Sequence, residues 1–498
     1  MVREYYSAIC EEKEIRANLI ALRNAIKDEK EKRAFAYLLG GDFSVLCDLL
    51  KNEDPKVRKN AAVVLGEMEC DDLLPVLFEA YKQEKTLFVR ADYLKAIEKL
   101  DCEMYLDELE SWLEQLRKKE ILPEEKKHVY AEIRMLQKIM LTYRKPEPHV
   151  FTGYHQKEEM LLLVNREQTQ AAAKEITKGT CSFLKGGVRV KDAEIGDVLP
   201  IRTYSEILFP IHTQPLPSKD PAAIGKMLAS SGITEWMEKL HKGMSPYYFR
   251  IEPKGLLDLE KKGEWIRRVS DVLEEETKGN WVNSVSNYEV ELRLLMKRDG
   301  TMAGFLRLYT IDDKRFAYRK EYVAASMNPV NAALCVQLAK PWMKEDAQVL
   351  DPFCGVGTLL VERDRALAAK TMYGLDIFGE AIEKARRNTS LANCRVNYIQ
   401  RDFFTFEHAY LFDEIITDLP QESAGKTKDE IHSLYLKFFE KAQMHLTDGG
   451  IVILYAALPQ YAAEAVRKYP CFRMEKTFLL NEKTKATLCI VRYHAEKQ

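Results

Sequence analysis

The stretch Val349-Leu-Asp-Pro-Phe-Cys-Gly-Val-Gly-Thr-Leu-Leu360 constrains this chain more than any other. Its apolar pair ending on Asp351 reads as a buried parallel strand. Gly355 and Gly357 permit a tight turn and a close approach of backbone to a ligand. Thr358 is placed to cap a helix whose apolar face begins at Leu359, Leu360 and Val361. Strand, glycine loop and helix are the opening unit of a doubly wound, nucleotide-binding sheet. One such loop is a generic signal, so its neighbours must say which ligand it holds.

The chain has 498 residues, long enough for three or four domains. Its formal net charge of -2 gives no global attraction to nucleic acid or membrane, although a local basic face remains open. Ten cysteines lie scattered without a C-x-x-C pair, which fits a reduced, cytoplasmic interior. Neither a secretory signal at Met1–Tyr6 nor an apolar run of bilayer length is present, so no membrane partner is expected. Nine histidines show no paired-ligand spacing, and no metal site is expected.

Residues 1–145 read as helix after helix. In Asp54-Pro-Lys-Val-Arg-Lys-Asn-Ala-Ala-Val-Val-Leu-Gly66, Pro55 suits a first turn behind the cap Asp54. Val57, Ala61, Val64 and Leu65 line one face. These residues resemble the second helix of a HEAT repeat, with a fainter echo at Phe88-Val-Arg90, Leu94, Ile97 and Leu100. A short helical solenoid is expected, with a plain helical bundle as the alternative. It carries no catalytic constellation and is expected to be a docking surface, with a protein partner among the candidates.

Arg144-Lys-Pro-Glu-Pro-His149 breaks the helical pattern, and the period then changes. Residues 150–240 read as a small α/β module, with strands near Met160–Val164, Lys185–Val190 and Glu206–Ile211 and a helix over Gly225–Leu240. Residues 241–320 form a second mixed module: strand Tyr247–Ile251, helix Leu259–Thr277, then a hairpin through Arg298-Asp-Gly300. With Trp281, Asn283 and Asn287 before the hairpin, this order resembles a THUMP domain, and residues 150–240 could be its ferredoxin-like companion. The resemblance implies RNA binding. The basic groups Lys261, Lys262, Arg267 and Arg268 are interleaved with Glu274, Glu275 and Glu276, so charge alone does not decide the partner.

The region 321–498 carries the chemistry. Asn328-Pro329 is a cap and first turn that leads a small-residue helix into the strand at Val349. After that strand a dinucleotide fold would want a third glycine, where Leu360 stands. Asp351 would also repel pyrophosphate. An acidic strand end fits a cofactor with a sulfonium and an ammonium group, such as S-adenosylmethionine. The next strand, Thr371–Asp376, ends in an acid placed to accept ribose hydroxyls. A third unit ends at Asp402 and Phe403, suited to the adenine amino group and ring. A fourth strand ends at Asp418-Leu-Pro-Gln421. Four strand ends on one edge are a stronger signal than any single loop.

These residues resemble class I methyltransferases, and most of all the THUMP-type RNA N2-methylguanosine enzymes. The resemblance implies that Asp351, Phe353, Gly355 and Gly357 hold the methionine end of S-adenosylmethionine, Asp376 the ribose, and Asp402 with Phe403 the adenine. Asp418, Leu419 and Pro420 would meet the target base, with Asn328 and Gln421 beside it. Glu362 matches an acid of that family's first helix, or else faces solvent. Gln421 departs from the pattern, which places an aromatic there to stack on the base. The expected function is methylation of guanine N2 in tRNA or ribosomal RNA. The alternatives are a repeat scaffold with a weakly active methyltransferase domain, and a protein methyltransferase.

Overall fold

The computed structural model describes residues 1–122, 124–144, 147–243, 246–255, 261–324, 326–420 and 427–495. They cluster into two compact units. The first comprises Met1–Val150, His212–Glu238 and Lys242–Ala303; the second comprises Phe151–Ile211, Lys239–His241 and Gly304–Gln498. Residues 150–240, read from sequence as one module, are thus shared between the two.

Among the described residues the first unit opens with nine α-helices: α1 Val2–Cys10, α2 Ile15–Ala25, α3 Glu29–Leu39, α4 Ser44–Asp48, α5 Pro55–Glu67, α6 Leu74–Gln83, α7 Leu87–Ile97, α8 Leu106–Lys118 and α9 Lys126–Tyr143. Helices α2, α5, α7 and α9 pack in succession as one row, backed by α1, α4, α6 and α8. Local chemistry sets the entry of α5, since the Asp54 carboxylate accepts from Lys56 N at 2.8 Å and Pro55 opens the helix. Its inner face is Val57, Ala61, Ala62, Val64 and Leu65, all buried. Gly66 is required there: a Cβ would lie 2.5 Å from Ala96 Cα, so only glycine lets α5 and α7 approach so closely.

The rest of this unit is an α/β layer. Strand Tyr247–Lys254 pairs in parallel with Val290–Met296 on one side and Trp281–Asn283 on the other. Helix Lys262–Glu276 packs against helix Pro221–Ala229. The sequence suggested one helix over Gly225–Leu240. The structure has two: the first ends at Ala229 with Ser230 as its cap, and Gly232, at a φ of 80°, turns the chain into the second at Ile233.

In the second unit, strands Lys157–Val164, Thr180–Leu184, Gly187–Glu194 and Tyr204–Pro210 are antiparallel. Thr180–Leu184 escaped sequence reading because all five of its residues are exposed, leaving no alternation to detect. A separate sheet has, among the described residues, seven strands, numbered β1 Ala347–Asp351, β2 Ala369–Asp376, β3 Asn397–Gln400, β4 Phe412–Asp418, β5 Leu446–Ala456, β6 Phe472–Leu479 and β7 Thr487–Tyr493. Their spatial order is β3-β2-β1-β4-β5-β7-β6, parallel except for β7, which runs antiparallel to both β5 and β6.

Both faces of this sheet are buried, and alternate residues supply two separate cores. Val349, Ile416, Ile451 and Ile453 enter one; Leu350, Ile415, Val452 and Leu454 enter the other. The reversal of strand order falls between β1 and β4, where a doubly wound sheet opens a crevice at its carboxyl edge. Among the described residues no helix is long and apolar enough to cross a membrane.

Candidate functional site

The carboxyl ends of β1, β2 and β4 bring Asp351, Asp376 and Asp418 to one edge, as their sequence positions suggested. Asp351 is 1% exposed. Its Oδ1 accepts from Phe353 N at 3.1 Å and from the Thr417 hydroxyl at 3.0 Å. Burial pushes this carboxyl up to about 8; the charges of Asp418 and Asp376 add to the rise, while the two hydrogen bonds oppose it. Asp376 accepts from Gly355 N at 3.0 Å and from Phe378 N at 2.9 Å, tying the glycine loop to the end of β2.

The loop residues differ in what they demand. Gly357 has φ 79°, and a Cβ there would lie 2.1 Å from Tyr398 Oη, so space and backbone both exclude a side chain. Gly355 also lies at positive φ, 51°, but a Cβ there would meet nothing within 4 Å. It leaves an open cradle rather than a packed contact. Gly357 also takes the cap position expected of Thr358, which is the first helical residue instead. The Thr358 hydroxyl is buried and has no hydrogen-bond partner among the described residues. Phe353 is half-buried against Phe403, Phe404 and Phe438.

Asp402 is exposed and accepts from Phe404 N at 2.9 Å, capping a short 3-10 turn. Phe403, expected against adenine, is a core residue at 1% exposure, with its ring among Phe353, Phe438 and His445. The apolar surface at this edge comes instead from Ile377 and Phe378, 56% and 67% exposed beside Asp376. Phe404, half-buried, borders with Asp402 a groove of about 910 Å³ along the helix Lys428–Ala442. Sequence reading missed Ile377 and Phe378, although two large apolar residues following a strand-end acid are a usable signal.

Asp418 closes β4 opposite Tyr455; burial is the main cause that raises Asp351, Cys335, Tyr435 and Tyr455, and the Asp418 charge adds to each rise. Leu419 is buried and Pro420 half-buried. Asn328 caps the helix Pro329–Ala339, accepting from Val330 N at 2.9 Å. Gln421 lies outside the described residues. Cys354 is buried, and its thiol is held well above the ordinary range by burial and by Asp351, so it packs the loop rather than acting as a nucleophile.

Glu362 does not face solvent. It is 2% exposed and accepts a bidentate pair from Arg202, both bonds 2.7 Å, and a third bond from the Tyr318 hydroxyl at 2.7 Å. This ties the first helix after the glycine loop to the chain 160 residues earlier.

Asp351 and Asp376 accept from neutral donors, namely backbone N–H groups and one hydroxyl. The edge thus gathers carboxyl groups, with Asp351 poised to ionise when a cation arrives. An open glycine cradle, an unpaired Thr358 hydroxyl and exposed Ile377 and Phe378 lie beside it. A cofactor with a cationic methionine end, ribose hydroxyls and an apolar adenine fits each of these. S-adenosylmethionine has that donor and charge pattern.

Comparison with known proteins bears on the domains that carry these residues. A family model described as RMKL-like, methyltransferase domain, matches residues 317–485. A HEAT-repeat model matches residues 43–119. A tRNA (guanine(10)-N2)-dimethyltransferase of Methanothermobacter thermautotrophicus is 30% identical over 145 residues, 29% of this chain and 41% of the relative. The chain therefore spans under half the length of that curated relative. Among solved structures, TrmN from Thermus thermophilus aligns with a TM-score of 0.53 at 19% identity, covering 68% of this chain and 99% of that one. SMU.472, solved in complex with SAH, aligns with a TM-score of 0.52 at 14% identity over 69% and 99% of the two chains. The helices within residues 43–119 are HEAT-like repeats, and the C-terminal seven-stranded sheet has the class I methyltransferase fold.

Proposed function

We propose that this chain is an S-adenosylmethionine-dependent RNA methyltransferase that modifies guanine N2, with tRNA as the substrate class. The observation that carries this reading is the acidic edge of the sheet: Asp351, Asp376 and Asp418 converge on an open glycine cradle, where Asp351 and Asp376 accept from backbone N–H groups and one hydroxyl. Asp351 and the loop of Gly355 and Gly357 would hold the methionine end, Asp376 the ribose, and Asp402 with Ile377 and Phe378 the adenine. When bound, the cofactor supplies an electrophilic methyl group on a sulfonium.

The remaining work belongs to the protein. Guanine N2 is a weak nucleophile because its lone pair is delocalised into the ring. The Asp418 carboxylate and the backbone carbonyl beside Leu419 are suited to accept its N–H bonds, localise that lone pair and stabilise the charge that develops. Positioning supplies most of the rest, and the base must leave its helix or come from a loop. The modules at 150–240 and 241–320 fit a ferredoxin-like and THUMP-like RNA-binding half, in the order strand, helix, strand and hairpin. The methyltransferase domain at 321–498 completes the chain.

Two measurements test this. Calorimetry with S-adenosylmethionine should show saturable binding, and none at millimolar cofactor would refute the cofactor assignment. Mass spectrometry of nucleosides from small RNA treated with enzyme should show N2-methylguanosine, and Asp418→Ala should lower the rate by about 10²–10³-fold. Unchanged methylation in that variant would remove Asp418 from the base site. Methylation of polypeptide with none of RNA would favour a protein substrate.

A further inference from the structure

The two rows of the helical array carry opposite charge. Helices α2, α5, α7 and α9 hold eleven basic and three acidic side chains; the backing helices α1, α4, α6 and α8 hold four basic and seven acidic. Two of the eleven are internal: Arg58 pairs with Glu84 at 2.8 Å and Arg90 with Glu132 at 2.8 Å, both carboxylates being buried. Three of the others are aligned by contacts between neighbouring helices. Arg23 donates to Asn60 across α2 and α5 at 2.9 Å, Lys59 reaches Asp92 across α5 and α7 at 2.8 Å, and Lys138 reaches Glu98 at the end of α7 at 2.7 Å.

Helical spacing extends that alignment. Arg16 lies two turns before Arg23, Lys56 one turn before Asn60, and Lys127 two turns before Arg134. Lys95 shares Asp92 with Lys59. Arg16, Lys56, Lys95 and Lys127 are all exposed. At the far end Arg134 pairs with Asp271 at 3.1 Å, and Gln137 donates to Gly279 O at 3.1 Å, seating α9 on the α/β layer of the same unit. Arg267, one turn before Asp271, is exposed there.

We propose that this face of the HEAT array is an RNA-binding surface that contacts the sugar-phosphate backbone, rather than a dock for another protein. The inference rests on the RNA-methyltransferase reading and extends it to a part of the chain with no catalytic residue. In a chain whose net charge is -2, a row that keeps an excess of seven basic groups once the internal Arg58, Arg90 and Glu132 are set aside, backed by an acidic row, is sorted charge. A polyanion is the partner that such sorting favours, by neutralisation of phosphates and release of counterions. The cross-helix ion pairs hold the long side chains in line along the row, which suits a backbone that is itself a line of charges.

The test uses the full chain and an unmodified tRNA transcript, with binding measured across a salt series. The variant carries Arg16→Gln, Lys56→Gln, Lys95→Gln and Lys127→Gln, each at an exposed position. Affinity should fall at least tenfold at moderate salt, and the slope of log K against log salt should shrink by about three, near the 0.9 per phosphate contact expected. Thermal unfolding and S-adenosylmethionine affinity should not move. A control with Lys82→Gln and Lys118→Gln on the acidic row should bind as wild type.

If the wild type binds RNA while the fourfold variant keeps its affinity and slope, this assignment is overturned and the catalytic reading stands. The same holds if the control weakens binding equally. If the wild type binds no RNA at all, the RNA-substrate reading fails and takes this one with it.

Discussion

Asp351 is a carboxyl buried at the point where a cationic cofactor fits, and its titration gives a signed prediction. The folded protein holds a proton on Asp351 up to about pH 8, whereas the unfolded chain releases it in the ordinary carboxylate range. This group therefore lowers stability as pH rises through that window, with no further change above it. A bound cation favours the ionised form, so S-adenosylmethionine affinity should rise with pH toward about 8, by at most about tenfold per unit. Calorimetry near neutral pH in buffers of different ionisation enthalpy should detect proton release on binding, and Asp351→Asn should abolish it. Proton uptake, or none in the wild type, would contradict the assignment. Gly357→Ala should be worse than a simple loss of flexibility. Its φ of 79° and the Tyr398 hydroxyl at 2.1 Å from the added carbon leave it no place, and the cost should exceed about 1 kcal/mol with loss of cofactor binding. Asp351, Gly355 and Asp376 were legible in the sequence because strand, loop and helix are consecutive, so spacing carries their geometry. Thr417, whose hydroxyl meets Asp351 from 66 residues away, and Tyr398, which lies beneath Gly357 and Gly374, were not, because sheet order alone brings them there. Phe403 and Phe404 show the same limit. A turn of one residue decides which ring the core takes, and no local pattern encodes it.

At the scale of elements, the junction at Glu362 ties the methyltransferase helix Thr358–Ala366 to the segment before strand Tyr204–Pro210. Arg202 and Tyr318 saturate its carboxylate, Arg315 donates to the carbonyls of Ile201 and Tyr204 at 2.8 Å each, and Asn165 and Gln168 donate to the carbonyls of Leu480 and Leu479. These bonds join segments 44 to 315 residues apart, so neither helical nor strand periodicity could foretell them. Breaking a buried pair from one side leaves the other charge desolvated. Arg202→Met should therefore lower stability by roughly 3 kcal/mol, and the double variant Arg202→Met, Glu362→Met should recover most of that loss. Denaturant unfolding of the single and double variants measures the coupling, and additive losses would show that the pair contributes nothing specific. By contrast the α5 motif was readable residue by residue. Asp54, Pro55 and the Ala61–Ala62 pair each act within one helix or against its next neighbour, and repeats place like contacts at like positions.

For the whole molecule, the chain crosses between its two units several times, entering the second at Phe151, leaving it after Ile211 and returning for good at Gly304. A sequence reading divides a chain into consecutive blocks, so it had no means of finding a unit assembled from separated segments. Hydrophobic period reports which residues are buried, not which core receives them. Each unit has its own buried interior: the helical array with its α/β layer in one, the two faces of the seven-stranded sheet in the other. The residues proposed to hold the cofactor, Asp351, Gly355, Gly357, Asp376 and Asp402, all belong to the second. Ligand linkage should therefore act on one unit. A ligand bound only by the folded state adds about 2.7 kcal/mol at a hundred times its Kd. Scanning calorimetry should resolve two transitions, with S-adenosylmethionine at that excess raising one by several degrees and leaving the other in place. The fourfold basic-face variant should preserve both midpoints and the cofactor shift, because its substitutions lie on exposed positions of the first unit. A single transition that moves as a whole with cofactor would mean that the two interiors unfold as one, and charge changes on the array would then be felt at the methyl-donor site.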